Sequence, residues 1–306
     1  MNRREFLQRA ALATVAGSAM SGCKRLAAIP QAPPGQPLFK ISLAEWSLHR
    51  TLAAKQMDHL DFPKIAKKDY GIDAIELVNQ FFKDKAKDKG YLTEFRNRAH
   101  DLGVRILLIM IDDMGHLGDP DPAKRQRAVE NHYPWVEAAE FLGCHSLRVN
   151  AETGNVGTFE EQQNRAADGL RKLALLARDH HLNVIVENHG HLSSNGKWLS
   201  GVMRQVNLPN LGTLPDFGNF YDYDRYQGVA EMMPFAKAVS AKTHDFNKRG
   251  EDTLVDYHRM MRIVLSAGYH GYLGIEYEGE NISEPEGIRL SKTLLERVRA
   301  EFQNIG

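Results

Sequence analysis

Short apolar runs that stop abruptly at polar residues recur eight times along this chain, and a helix-length segment follows each of them. The runs fall at 38–46, 72–79, 104–111, 145–150, 184–187, 213–216, 238–244 and 272–276. Helical patterns follow at 62–70, 91–102, 123–142, 159–181, 198–206, 229–238, 256–267 and 288–302. Gly71 and Gly103 close the first two, and Ala166, Leu170, Leu173, Ala174 and Ala177 give the fourth one apolar face. Near-continuous apolar strands are what a parallel sheet covered on both faces needs, and parallel neighbours must be joined by crossovers. No glycine-rich dinucleotide fingerprint follows the first run, where Leu43-Ala-Glu-Trp-Ser-Leu-His49 stands instead. The expectation is an α/β chain folded as one (β/α)8 TIM barrel over 38–306, rather than a doubly wound open sheet.

In such a barrel the C-terminal strand ends face one shared pocket. The last four runs end on Glu187, Asp216, His244 and Glu276, which would therefore converge. Each has an ordinary structural reading when taken singly: a helix cap, a turn with Gly218, a satisfied barrel histidine, a partner for a lysine. Four such endings in succession form an oxygen-and-nitrogen set for one divalent ion. Lys242 lies two residues before His244, on the same strand face, where it can reach a substrate oxygen or neutralise the surrounding acids. Other strand ends supply Glu45, Trp46, His49, Asn79, Asn150, His189 and Asn219, a mixture of acids, amides and aromatic surfaces suited to a carbohydrate. Each of these also reads as ordinary packing.

Lys+Arg 39 balances Asp+Glu 39, so no net field attracts nucleic acid or an anionic membrane. The two cysteines, Cys23 and Cys144, make no disulfide framework. Arg3 and Arg4 precede Phe6, Leu7 and a weakly apolar stretch at 10–20, so residues 1–23 resemble a twin-arginine signal peptide. Met20-Ser-Gly-Cys23 resembles a lipobox, which would make a lipid on Cys23 the one membrane attachment expected. Residues 24–37, with Pro30, Pro33, Pro34 and Pro37, read as a stiff tether. These features imply export to the periplasm or lipid anchoring.

The segments Val-Glu187-Asn-His-Gly, Leu-Pro-Asp216-Phe-Gly-Asn-Phe, Ala-Lys-Thr-His244-Asp-Phe and Gly-Ile-Glu276-Tyr-Glu-Gly together resemble the sugar phosphate isomerase/epimerase family of xylose isomerase-like TIM barrels. The resemblance spans roughly 39–302. It implies one divalent metal held by Glu187, Asp216, His244 and Glu276, with Mn2+ foremost and Mg2+, Co2+ or Zn2+ as alternatives. It also implies that Glu187 and Glu276 act as base and acid on a small carbohydrate through an enediolate, in a chain that can form a homo-oligomer. Three departures count against a free-ketose 3-epimerase. Asp216 is followed by Phe217-Gly-Asn219 instead of Asp-x-x-His, Ser193 stands where an additional glutamate is expected, and Gly250 replaces a substrate-binding arginine, with Arg249 adjacent. Export favours an unphosphorylated sugar or a keto-glycoside. A β-eliminating lyase on 3-keto-glycosides would share the first proton abstraction, and a non-catalytic sugar-binding lipoprotein is the alternative class. A nucleic-acid phosphodiesterase would want more metal ligands and a basic surface.

Overall fold

Eight parallel strands close around a common axis in the computed structural model, which describes residues 35–305. They are β1 (Lys40–Ala44), β2 (Ala74–Val78), β3 (Arg105–Met110), β4 (Ser146–Asn150), β5 (Asn183–Glu187), β6 (Leu211–Leu214), β7 (Val239–Thr243) and β8 (Tyr272–Tyr277). Hydrogen bonding runs in the order β6-β5-β4-β3-β2-β1-β8-β7. Parallel bridges Thr213 to Ala236 and Asp216 to Ser240 then bring the β6 edge to the β7 edge. The expected (β/α)8 barrel is the fold. The signal-like stretch, Cys23 and most of the tether lie outside the described residues. Among the described residues no helix is long and apolar enough to cross a membrane.

Strand alternation sorts side chains into two compartments. Leu43, Ile75, Leu77, Ile109, Leu147, Val149, Val184, Val186, Ala241 and Ile275 belong to the large apolar cluster that the strands share with the helices. A smaller cluster of Ala44, Ala74, Val78, Leu108, Met110, Ile185, Leu214 and Ala238 fills part of the barrel interior. The remaining interior-facing positions are polar and buried: Ser42, Glu76, Arg148, Glu187, Ser240, Lys242 and Glu276. An interior that admits charges must pair them, because desolvating an isolated ion costs several kcal/mol, on the order of Born-type penalties moderated by relaxation. That requirement shapes the site.

Two helices differ from the sequence expectation for one reason. The stretch expected as a single helix over 123–142 is two, Pro122–Asn131 and Tyr133–Leu142, because Pro134 cannot donate the next helical hydrogen bond. The helix expected at 229–238 is Arg225–Met232, started by the Asp224 carboxylate accepting from the Gln227 N–H and followed by a tight turn containing Pro234. Elsewhere helix ends follow local cues. Thr158 and Glu161 form a reciprocal capping box before Phe159–Asp179, and Gly71 ends Phe62–Tyr70 at φ 64°.

Candidate active site

Pro215 ends β6, and on its β5 side the next residue is fixed by a side chain instead of a ladder. The Asn188 carboxamide accepts from the Asp216 N–H at 2.7 Å and donates to the Asp216 carbonyl at 3.0 Å, replacing the missing strand neighbour. Asp216 Oδ1 accepts the Gly218 and Asn219 N–H groups at 2.8 and 2.7 Å, which leaves Oδ2 facing the barrel axis without a hydrogen bond. Glu187, the last residue of β5, and Glu276 of β8 complete a buried trio whose carboxylate oxygens lie within 4.8 Å of one another. Asn219 Nδ2 donates to Glu187 Oε1 at 3.1 Å, and Ser240 Oγ donates to Glu276 Oε2 at 3.0 Å.

Two buried cations balance these acids. Arg148 Nε stands 2.7 Å from Glu187 Oε2, while its Nη1 donates to Asp112 Oδ1 at 2.5 Å. Lys242 Nζ lies 3.1 Å from Glu276 Oε1, 3.0 Å from Glu278 Oε2 and 3.8 Å from Asp216 Oδ2, and donates to Asn219 Oδ1 at 3.2 Å. Burial works against the lysine's charge, but Asp216, Glu276, Glu278 and Glu187 outweigh it and hold its pKa well above the ordinary value. Burial raises Glu187 and Asp216 above the usual carboxyl range, against the pull of Arg148 and Lys242 respectively. Glu76, deeper in the barrel and hydrogen-bonded by Ser42 Oγ at 2.6 Å, is pushed up to about 7 by burial. Its carboxylate occupies the space beside Gly274, where any Cβ would approach it to 2.6 Å.

The trio of carboxylates fits a hard, oxygen-preferring cation. All three are buried, and Asp216 Oδ2 has no hydrogen-bond partner among the described residues. His244, expected as the fourth ligand, does not join the trio. Strand β7 stops at Thr243, the His244 N–H donates to the Asp252 carboxylate at 2.8 Å, and its ring, with Nδ1 buried and without a partner among the described residues, packs beside Gly218 and the Lys242 side chain, outside the 4.8 Å group.

Several expected substrate contacts have structural work instead. Glu45 is fully buried, accepts from the Val78 N–H at 2.9 Å and places Oε1 3.3 Å from His59 Nε2, so both of its oxygens meet protein groups. The carboxamide of Asn79 is likewise occupied, donating to the Asp112 carbonyl at 2.9 Å and accepting its N–H at 3.0 Å. Asn150 donates to Asp112 Oδ1 at 2.8 Å, which leaves its own Oδ1 free to accept from a ligand. Trp46 is half-buried, donates its indole N–H to Glu278 and stacks on His49 with centroids 4.8 Å apart. His49 Nδ1 meets the Trp46 carbonyl at 2.7 Å. His189 is exposed into a cavity of about 810 Å3, which Asn155, Gln162, His191, Asn195 and Tyr221 also line. Burial lowers its pKa, and Arg148 and Lys242 act in the same direction.

Arg148 and Glu278 were not among the expected site residues. Both were legible in principle, since Arg148 interrupts an apolar strand on the interior parity of Ser146, and Glu278 repeats the parity of Glu276.

The family description xylose isomerase-like TIM barrel matches residues 65–298, more than half of the chain. The chain belongs to that family. No curated protein matches it. Solved structures share the fold at low identity. The 3-keto-D-glucoside 4-epimerase of E. coli is 16% identical, with a TM-score of 0.63 over 85% of this chain and 99% of that one. A D-tagatose 3-epimerase-like protein is 18% identical, with a TM-score of 0.68 over 87% and 99%. The IOLI protein with a bound zinc atom is 15% identical, with a TM-score of 0.69 over 86% and 99%.

Proposed function

We propose that this family member is a sugar-modifying enzyme that removes the proton beside a carbonyl and passes through an enediolate. The substrate class is an unphosphorylated sugar or a keto-glycoside. The observation that carries the reading is the trio of buried carboxylates, Glu187, Asp216 and Glu276, gathered within 4.8 Å of one another, with a cavity of about 810 Å3 lined by His189, two residues beyond Glu187. Glu187, raised by burial, is suited to accept a carbon-bound proton near neutral pH, and Glu276 to return one from across the site. Lys242 Nζ is positioned to stabilise the oxyanion that develops as the proton leaves. Asn150, His189 and Asn219 orient hydroxyl groups, while Trp46 supplies an apolar wall. A divalent ion on Glu187, Asp216 and Glu276, Mn2+ foremost, would when bound supply Lewis acidity to a substrate oxygen in place of the lysine's charge.

Proteins of this fold that are named as a 3-keto-D-glucoside 4-epimerase and a D-tagatose 3-epimerase-like protein support the carbohydrate class. The twin-arginine pattern and the lipobox-like Cys23 support an exported or lipid-anchored location, which fractionation of the full-length protein would test. The deciding experiment incubates the enzyme in D2O with free sugars and 3-keto-glycosides. Deuterium entering the carbon next to the carbonyl is the expected result, and aglycone release alongside it would assign β-elimination over epimerisation. Thermal stabilisation by a sugar with no exchange from any substrate would end the enzymatic reading in favour of a sugar-binding protein.

A further inference from the structure

The acid cluster receives a cation from the chain itself. In the β7–β8 ladder Lys242 is the register partner of Glu276, and Ser240, on the same face of β7, donates to that glutamate. Neighbours in parallel register project the same way, so β7 delivers the lysine into the barrel and toward the trio. The stem is held there. Lys242 is 2% exposed, its carbonyl accepts from Tyr257 Oη at 2.8 Å, and its Cδ fills the space above Gly218, where a Cβ would come within 2.7 Å. Its ammonium then lies within 4 Å of Glu276, Glu278 and Asp216, two of which are also the oxygens offered to a metal. His244 lies outside the group of ligand atoms within 4.8 Å of one another, its ring beside the Lys242 stem at Gly218.

We propose that Lys242, not His244, is the fourth member of the cluster, and that its ammonium and a divalent ion compete for Glu276 and Asp216, so the site holds one of them at a time. A doubly charged ion held by Glu187, Asp216 and Glu276 would have to share Glu276 and Asp216 with the ammonium, and the like charges would repel. Metal entry therefore requires the lysine to withdraw toward Glu278. The proposal deepens the functional reading above and rests on the same site, but it concerns binding and is measured as binding.

The test uses full-length protein stripped with chelator and dialysed against graded Mn2+, comparing the natural chain with Lys242→Met and Lys242→Gln. The expected result is one Mn2+ bound at least tenfold more tightly by the variants. Their melting temperature should rise on adding Mn2+ by more than that of the natural chain. A variant that unfolds in chelator and is restored by Mn2+ gives the same answer, because the ion then replaces the missing ammonium. Equal or tighter binding by the natural chain, or no Mn2+ binding and no rescue in either variant, would overturn the proposal. Failure of the D2O exchange assay with the competition intact would sink the chemistry and leave this inference standing; the converse result would do the opposite.

Discussion

Glu45 and Lys242 are both buried ionisable groups near the C-terminal rim of the barrel, yet they meet burial in opposite ways. Glu45 has a single ionisable partner, His59, which is walled in by Phe82, Tyr91 and Phe95. Burial raises the Glu45 carboxyl well above its ordinary range and lowers His59 to about 3, so burial favours the neutral form of both partners. Lys242 has three carboxylates within 4 Å and Glu187 close behind, and it stays charged. The number of opposite charges within reach decides between a neutral structural pair and an ionic reactive cluster.

The largest effect that can break this comparison is on catalysis. Glu187→Gln should lower the rate of C–H exchange in D2O by roughly 10²–10⁴-fold, the usual contribution of a positioned base. Glu45→Gln should leave that rate within about twofold. Equal losses would erase the distinction between the two regions.

Removing a cation from the ionic cluster should cost more stability than anything done to the neutral pair. Arg148→Met strands Glu187 and Asp112, and urea denaturation should show a loss of about 3–5 kcal/mol. A loss below about 1 kcal/mol would mean that those carboxylates are protonated in the fold.

His132 sharpens the neutral side of the contrast. Buried, with Nδ1 on the Ala128 carbonyl at 2.7 Å, it is lowered from 6.5 to about 4 by desolvation. The unfolded chain binds this proton first, so the stabilising contribution is complete above about pH 6.5. It is lost as pH falls toward 4, at a cost on the order of 3 kcal/mol. Melting temperatures of the natural chain and His132→Gln, measured from pH 7 to 4, should converge as the solution is acidified. Curves that stay parallel would show that His132 does not titrate in this window.

The smallest effect is at Glu45 itself. Glu45→Ala leaves the Val78 N–H and His59 without a partner and should cost about 1–3 kcal/mol, whereas Glu45→Gln should cost less than about 1 kcal/mol. A glutamine as costly as the alanine in thermal denaturation would mean the pair is ionised.

The barrel was legible because its periodicities are local: apolar runs, capping residues and glycine stops report directly on strands and helices. Glu187, Asp216 and Glu276 were legible for the same reason, as carboxylates at strand tips in a fold that gathers strand tips. What was not legible depended on contacts distant in sequence. Nothing near Glu45 announces His59, and nothing near Asn79 announces the Asp112 backbone 33 residues away. Which of Lys242 and His244 reaches the acids was not legible either, because Lys242 lies within β7 and His244 one residue past its last residue, Thr243, with its N–H bonded to Asp252 eight residues on.

Two asparagines, Asn79 and Asn188, grip the backbone of the neighbouring strand's exit, at Asp112 and Asp216, with both halves of the carboxamide. Each amide behaves as one more rung beyond the last rung of the sheet. The rim is thereby clamped below the level at which the connecting loops begin, so insertions or exchanges in those loops could reshape what the mouth admits without disturbing the acids beneath it. A scaffold built this way can change its diet while keeping its teeth in place.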